Sequence, residues 1–154
     1  MPDVLVVEDK DAKFRDIEQL LLGIRSDVVC VRARTVTEAE NLLEARSWSV
    51  MVLDISMDIN GTSKGALGGG HANLGGLDIL DTLFYEGLSI PTIAVTGFDY
   101  FIASGSGEES TYIGLDELEG LVRARAQGGY LGCVRYGSEG WQQRFVKACS
   151  GIQW

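Results

Sequence analysis

The sequence predicts an α/β fold, in which an open parallel sheet of five strands carries helices on both faces. Short apolar runs alternate with longer segments whose apolar residues recur at helical spacing. Five strands and five helices alternate strictly, and parallel neighbours in a sheet need such crossover connections. A chain of 154 residues that is 45% hydrophobic can bury a core without disulfides or a structural metal.

The first half of the chain supplies three strands and two helices. Each predicted strand is a short apolar run, and the first helix is expected to end at Gly23. Thr35 or Thr37 can cap the second helix, since each has a Glu three residues later. The predicted elements are strands at 4–7, 28–31 and 50–53, a helix over 11–22, and a helix that begins near residue 36.

The second half continues the alternation, interrupted by two long polar stretches. Gly87 is expected to close the first of its helices. The last helix has an apolar stripe formed by Trp141, Phe145 and Cys149. The predicted elements are helices at 77–86, 112–126 and from 138 onward, and strands at 90–95 and 131–135. We therefore expect one domain over 1–154, with insertions at approximately 58–75 and 98–112.

The charge distribution argues against nucleic acid and membranes as partners. The net charge is −9, and residues 51–120 hold eleven acidic side chains and one basic one. Such a surface repels phosphate backbones and anionic lipids. The N-terminal apolar run is too short for a secretory signal or a membrane span, which predicts a cytoplasmic location. Cys30, Cys133 and Cys149 lack metal-site spacing and are predicted to be reduced and buried.

Polar residues stand where the predicted strands end, which is where open α/β sheets bind ligands. Glu8 and Asp9 follow the first strand, and Asp54 follows the third. Thr96 and Arg135 hold the corresponding positions at the fourth and fifth strands. Three converging carboxylates repel one another, so at least one must be protonated or they must share a cation. Oxygen ligands of this kind suit Mg²⁺ better than zinc.

Three ordered motifs together resemble the receiver domain of two-component response regulators. They are Val4-Leu-Val-Val-Glu8-Asp9, Val52-Leu-Asp54-Ile-Ser-Met57 and Ile93-Ala-Val-Thr96-Gly97. The resemblance covers the whole chain, with a suitable element between each pair of motifs. It implies a flavodoxin-like doubly wound sheet with strand order 2-1-3-4-5.

The resemblance also implies a role for each matching residue. Asp54 matches the phosphoacceptor, which takes a phosphoryl group from a histidine kinase or a phosphotransfer protein. Glu8, Asp9 and Asp54, with the backbone carbonyl of Ser56, match the ligands of Mg²⁺. Thr96 matches the hydroxyl that turns toward the phosphoryl group. The implied function is a phosphorylation-dependent switch toward a downstream protein target, with no enzymatic activity beyond slow phosphorylation and dephosphorylation of itself.

The sequence departs from the family pattern at two places. The family has a Lys at the end of the fifth strand, whereas this chain reads Cys133-Val-Arg135-Tyr-Gly there. Arg135 or Tyr136 is the candidate to stand in that place, although Arg and Lys are not interchangeable. Gly76 follows Asp54 by 22 residues, about 14 more than the family pattern has. The missing Lys favours an alternative function, a pseudo-receiver that binds a protein without phosphorylation, whereas the acidic residues and Thr96 oppose it.

Two motifs in the first insertion suggest other functions only weakly. Gly61-Thr-Ser63-Lys-Gly65 matches the nucleophile elbow of serine hydrolases, but polar residues precede it where that motif requires a strand. The Gly-rich run before His71 lacks the spacing of a nucleotide-binding loop. His71 is predicted to be a solvated loop residue, with contact to Mg²⁺ or phosphate as the alternative.

Overall fold

The fold is described here from a computed structural model, which covers residues 1–57, 74–97, 100–102 and 112–154. The strands are β1 Asp3–Val7, β2 Val29–Ala33, β3 Val50–Leu53, β4 Thr92–Thr96, β5 Tyr100–Ile102, β6 Tyr112–Gly114 and β7 Tyr130–Arg135. The main sheet has five parallel strands in the order β2-β1-β3-β4-β7. Because β7 takes the place predicted for the fifth strand, the predicted order 2-1-3-4-5 is confirmed.

Five α-helices cover the two faces of this sheet and create two hydrophobic cores. Ile17 and Phe145 belong to the core on the side of the first and last helices. Leu43, Leu80 and Val122 belong to the opposite core, which the other three helices cover. The helices are α1 Asp11–Ile24, α2 Val36–Ala45, α3 Gly75–Tyr85, α4 Leu115–Ala126 and α5 Trp141–Cys149.

Two predicted ends of helices are wrong, and each has a local cause. Helix α1 continues through Gly23 to Ile24 and ends when the amide of Arg25 donates to the Leu21 carbonyl. Helix α4 begins at Leu115 instead of residue 112, because Tyr112–Gly114 forms a strand that pairs antiparallel with β5. This two-stranded sheet, which begins in the second predicted insertion and extends past its end, was not predicted.

Two other helix ends agree with the sequence patterns. Thr35 is the residue that caps α2, since its hydroxyl accepts a hydrogen bond from the Glu38 amide at 3.1 Å. The Glu38 carboxylate accepts in turn from the Arg34 amide at 2.7 Å, which satisfies a second backbone donor. Gly87 has φ of +69°, a conformation that suits glycine after a helix.

The remaining sequence predictions meet the structure only in part. The motif at 61–65 and His71 lie outside the described residues. Cys149 is buried, whereas Cys30 and Cys133 are half-buried, and all three are free thiols. Within the described part of the chain, we find no helix with the length and apolar character needed to cross a membrane.

Candidate functional site

Three carboxylates meet at the carboxyl ends of the two central strands. β1 and β3 are direct neighbours, so Glu8 and Asp54 leave the sheet side by side. Backbone hydrogen bonds fix both positions, because the Asp54 amide donates to Val7 at 3.0 Å and the Glu8 amide donates to Ala33 at 2.9 Å. Carboxylate oxygens of Glu8, Asp9 and Asp54 all lie within 4.8 Å of one another. The structure thus brings the three predicted acids together.

Lys13 supplies a cation to this cluster from helix α1. Its Nζ lies 2.9 Å from Glu8 Oε2 and 3.3 Å from Asp54 Oδ2, and it donates to the Val95 carbonyl at 2.8 Å. The three side chains are at most 5% exposed. Among the described Lys and Arg residues, Lys13 is the only one that is buried. An ammonium group of the chain itself is therefore shared by two of the three carboxylates.

The sequence contains a signal for Lys13 that lies outside the three strand-end motifs. Lys13, Ile17 and Leu21 follow one another at intervals of four, which places them on one face of a helix. That face is buried against the sheet. A Lys in an apolar stripe, four residues after an acidic pair, indicates a cation that the fold brings back toward those acids.

Burial and charge together change the titration of Glu8. Desolvation raises its pKa to about 8, and the negative charge of Asp54 acts in the same direction. The Lys13 ammonium opposes both effects, because it favours the ionised carboxylate. Glu8 therefore holds a proton far more readily than an ordinary Glu, which is one of the two outcomes that the repulsion between these carboxylates predicts.

The carboxylate of Asp54 has a distinct partner at each oxygen. Its Oδ1 accepts hydrogen bonds from the Ser56 amide at 3.0 Å and from the Ser56 hydroxyl at 2.7 Å. Its Oδ2 faces Lys13. The turn after β3 thus sets the rotation of the Asp54 side chain. Ser56 was predicted to contribute its backbone carbonyl to a metal site, and the structure shows its amide and hydroxyl supporting Asp54.

Gly76 at the start of α3 packs against this turn. Its amide donates to the Ile55 carbonyl at 2.9 Å. A Cβ atom at Gly76 would lie 2.6 Å from Ile55 Cα and 2.7 Å from the Asp54 carbonyl oxygen, closer than real Cβ contacts. The chain therefore returns, 22 residues after Asp54, to brace the backbone of Asp54 itself, and only glycine fits there.

Thr96 and Arg135 end neighbouring strands. Thr96 is fully buried at the end of β4 and pairs with Arg135 of β7. Cys133 packs on the core of α2, α3 and α4, whereas Val134 lies in the core of α1 and α5. Because side chains alternate along a strand, Arg135 shares the side of Cys133. Its contact with a phosphoryl group stays a prediction.

Tyr136 follows on the other side and lies close to Lys13. The Lys13 Nζ is 5.7 Å from the centroid of the Tyr136 ring. That ring packs on Trp141, with 4.8 Å between the ring centroids, and its hydroxyl donates to Asp16 at 2.6 Å. Asp16 raises the pKa of Tyr136 to about 12, chiefly through this hydrogen bond. Tyr136 is thus an uncharged residue that lines the site.

An open cavity of about 360 Å³ gives access to Asp54. Its volume is ample for a phosphoryl group. A Cβ at Gly97 would meet nothing within 4 Å, so space is open beside the end of β4. The lining residues are Lys10, Ala12, Lys13, Asp54, Ser56, Gly97, Tyr136 and Gly137.

The chemistry of the donor set fits a hard divalent cation. The three clustered groups are carboxylates, two of them buried, and oxygen ligands are those that Mg²⁺ prefers. Lys13 contacts two of the three, so an incoming cation and the ammonium would share the same oxygens. The residues can therefore hold Mg²⁺, with Lys13 as an internal competitor.

Comparisons with known proteins show the fold. No protein-family model and no curated protein matches the sequence. The structure resembles a two-component response regulator from Clostridium difficile, with a TM-score of 0.64 at 9% identity over 97% of this chain and 94% of that one. It also resembles the signal receiver domain of a DNA binding response regulator protein from Colwellia psychrerythraea 34H, with a TM-score of 0.58, 18% identity, and 97% and 98% coverage.

A third similar structure is the receiver domain of a Francisella response regulator. Its TM-score is 0.54 at 21% identity, over 86% of this chain and 84% of that one. At such identities the likeness concerns the fold alone. The receiver-type fold that the three sequence motifs implied is thereby confirmed.

Proposed function

We propose that this chain is a phosphoacceptor receiver domain of a two-component phosphorelay, with Asp54 as the residue that is phosphorylated. The observation that carries the proposal is the setting of Asp54. Its carboxylate lines an open cavity, Ser56 holds it in one orientation, and two further acids lie within 4.8 Å. A structural aspartate would have no need of this cavity or of acidic neighbours that raise its electrostatic cost.

The proposed reaction is transfer of a phosphoryl group from a phosphorylated histidine. An oxygen of Asp54 attacks the phosphorus, so an O–P bond forms and the P–N bond to the donor imidazole breaks. The imidazole nitrogen keeps the electron pair and takes up a proton. Held by Glu8, Asp9, Asp54 and the Ser56 carbonyl, Mg²⁺ would neutralise charge on the phosphoryl oxygens.

The other residues of the site would sense and support this transfer. Thr96, the last residue of β4, is followed by the open space at Gly97 and carries a hydroxyl group. We propose that it turns toward the phosphoryl group and couples phosphorylation to the surface formed by α4, β7 and α5. Arg135, paired with Thr96, belongs to the same proposal. A downstream protein would bind that surface in the phosphorylated state.

The proposed partners are a histidine kinase or a phosphotransfer protein, and a downstream protein. A cytoplasmic location and a single domain over 1–154 belong to the same proposal. We expect no turnover of unrelated phosphoesters, because the phosphoryl group would stay on Asp54 until the acyl phosphate hydrolyses.

The test is phosphorylation by a small phosphate donor. The wild-type chain and Asp54→Asn are incubated with acetyl phosphate and Mg²⁺, and intact mass is measured. Asp27→Asn serves as the matched control, since it removes a surface carboxylate that pairs only with Arg25 among its described contacts. We expect one phosphoryl group on the wild type and on the control, and none on Asp54→Asn.

An unmodified wild type would contradict the proposal. Binding of beryllofluoride in the presence of Mg²⁺, followed by spectroscopy, is an independent test, because beryllofluoride occupies the same position as a phosphoryl group. If neither experiment changes the wild type, the pseudo-receiver becomes the better function. The ion pair between Lys13 and Asp54 favours that alternative, since it already neutralises the phosphoacceptor.

A further inference from the structure

We infer that Lys13, from helix α1, contacts the transferred phosphoryl group. It would do so in place of the Lys that is absent from the end of β7. The inference rests on the proposed function of Asp54. It concerns a residue that the sequence motifs did not include, on an element at the other end of the chain from β7.

The position of Lys13 carries the first step of the argument. Its Nζ lies 3.3 Å from Asp54 Oδ2, the carboxylate oxygen that Ser56 leaves available. Lys13 also lines the cavity through which a phosphoryl donor would reach Asp54. A phosphoryl group bonded to that oxygen would come within reach of the ammonium with no rearrangement of the backbone.

The hydrogen-bonding capacity of the ammonium carries the second step. Lys has three donors and no acceptor, and here they face Glu8, Asp54 and the Val95 carbonyl. When Asp54 becomes an acyl phosphate, the donor that faced its carboxylate is released. The added phosphoryl oxygens bring more negative charge into the site, and this donor is the one beside them.

Arg135 and Tyr136, at the end of β7, are the alternatives to Lys13. Val134 lies in the core beside α1, so the next residue, Arg135, points to the opposite side of the sheet. Arg135 is not among the described lining residues of the cavity. Tyr136 does line the cavity, but its hydroxyl is directed to Asp16 and it carries no charge. Lys10 also lines the cavity, but Lys13 is the cation that forms an ion pair with Asp54 in the described part of the chain.

The same geometry predicts that Lys13 weakens the binding of divalent cations, although it supports phosphorylation. The ammonium occupies two of the carboxylates that would hold Mg²⁺. Its removal would leave those carboxylates without a counter-charge and tighten the binding of a divalent cation. A Lys that only stabilised the fold would not weaken phosphorylation and tighten metal binding together.

The experiment compares Lys13→Met with wild type and Arg15→Met in the full chain. Arg15 is exposed on the same helix, so Arg15→Met is a matched loss of positive charge. Phosphorylation by acetyl phosphate is followed by mass. Mg²⁺ affinity is followed, without a phosphate donor, by tryptophan fluorescence, since Trp141 packs on Tyr136 beside Lys13.

We expect Lys13→Met to be phosphorylated on the order of 100-fold more slowly and to bind Mg²⁺ about tenfold more tightly. Arg15→Met should match the wild type in both measurements. Equal phosphorylation of Lys13→Met and wild type would overturn the inference. A wild type that accepts no phosphoryl group would instead overturn the proposed function, and the inference with it.

Lys13→Arg keeps the test decisive if Lys13→Met does not fold. The guanidinium retains the charge that the buried carboxylates need, but its planar fork differs in shape from an ammonium. We expect this variant to fold, to keep Mg²⁺ affinity near the wild-type value and to be phosphorylated more slowly. Phosphorylation at the wild-type rate would contradict a direct contact between Lys13 and the phosphoryl group.

Discussion

The Lys13 ammonium and the Glu8 carboxylate form a buried ion pair with 2.9 Å between Nζ and Oε2. The pair joins the start of α1 to the end of β1, across a turn of only a few residues. Where Glu8 is ionised, removal of either partner is costly, because the other charge remains buried without compensation. Both members therefore contribute to the fold as well as to the chemistry of the site.

The raised pKa of Glu8 predicts that stability depends on pH in a specific direction. Its pKa is about 8 in the folded chain, well above the ordinary value of 4.5, so the folded state binds the proton more tightly than the unfolded state. The free energy of unfolding should therefore fall as the pH rises between these two values, and level off above pH 8. The slope is at most about 1.4 kcal/mol per pH unit for one proton.

Urea unfolding without Mg²⁺ at several pH values from 5 to 9 measures this dependence. Glu8→Gln should flatten the slope, because a neutral amide has no proton to lose. Asp54, Lys13, Asp9 and Tyr136 are the other titratable groups around Glu8. If Glu8→Gln keeps the wild-type slope, one of these groups and not Glu8 is responsible.

Removal of the Ser56 hydroxyl should loosen the phosphoacceptor. Ser56→Ala loses the 2.7 Å hydrogen bond to Asp54 Oδ1 and keeps the backbone bond. We expect a loss of about 1 kcal/mol in stability and a several-fold slower phosphorylation. Ser150→Ala removes an exposed hydroxyl that donates to Lys147 and serves as the control. An unchanged phosphorylation rate in Ser56→Ala would show that the turn backbone alone orients Asp54.

Two Gly→Ala substitutions should differ sharply in stability. Gly76→Ala places a Cβ against the backbone of Asp54 and Ile55, and we expect a loss of about 1–3 kcal/mol. Gly97→Ala meets nothing within 4 Å, so its stability should stay within about 0.5 kcal/mol of the wild type. Denaturant unfolding of both variants measures this difference in stability. Equal stabilities would mean that α3 can move away from the turn at little cost.

The main sheet and the carboxylate cluster were predictable because both depend on the ends of apolar strands. An apolar run that stops at Glu8 or Asp54 fixes where the strand ends, and parallel strands bring those ends together. Gly76 was identified differently, through the resemblance to the family pattern, and its contact with Asp54 required the structure.

Lys13 and the β5–β6 pair were missed for different physical reasons. The position of Lys13 depends on how α1 rotates against the sheet, which the strand motifs do not specify. β5 and β6 have three residues each, too few for a periodic pattern to show. The choice between Arg135 and Tyr136 remained open because a shift of one residue moves a strand side chain to the opposite face.

The close approach at the start of α3 also bears on how the chain tolerates change in length. A Cβ at Gly75 would lie 1.8 Å from the Met57 carbonyl oxygen, so the backbones of these two residues lie in contact although 18 positions separate them in the sequence. Loop-closure entropy grows only by about 0.6 kcal/mol per doubling of length. We therefore expect a change in the number of residues between Met57 and Gly75 to alter stability little, as long as these two residues keep their contact.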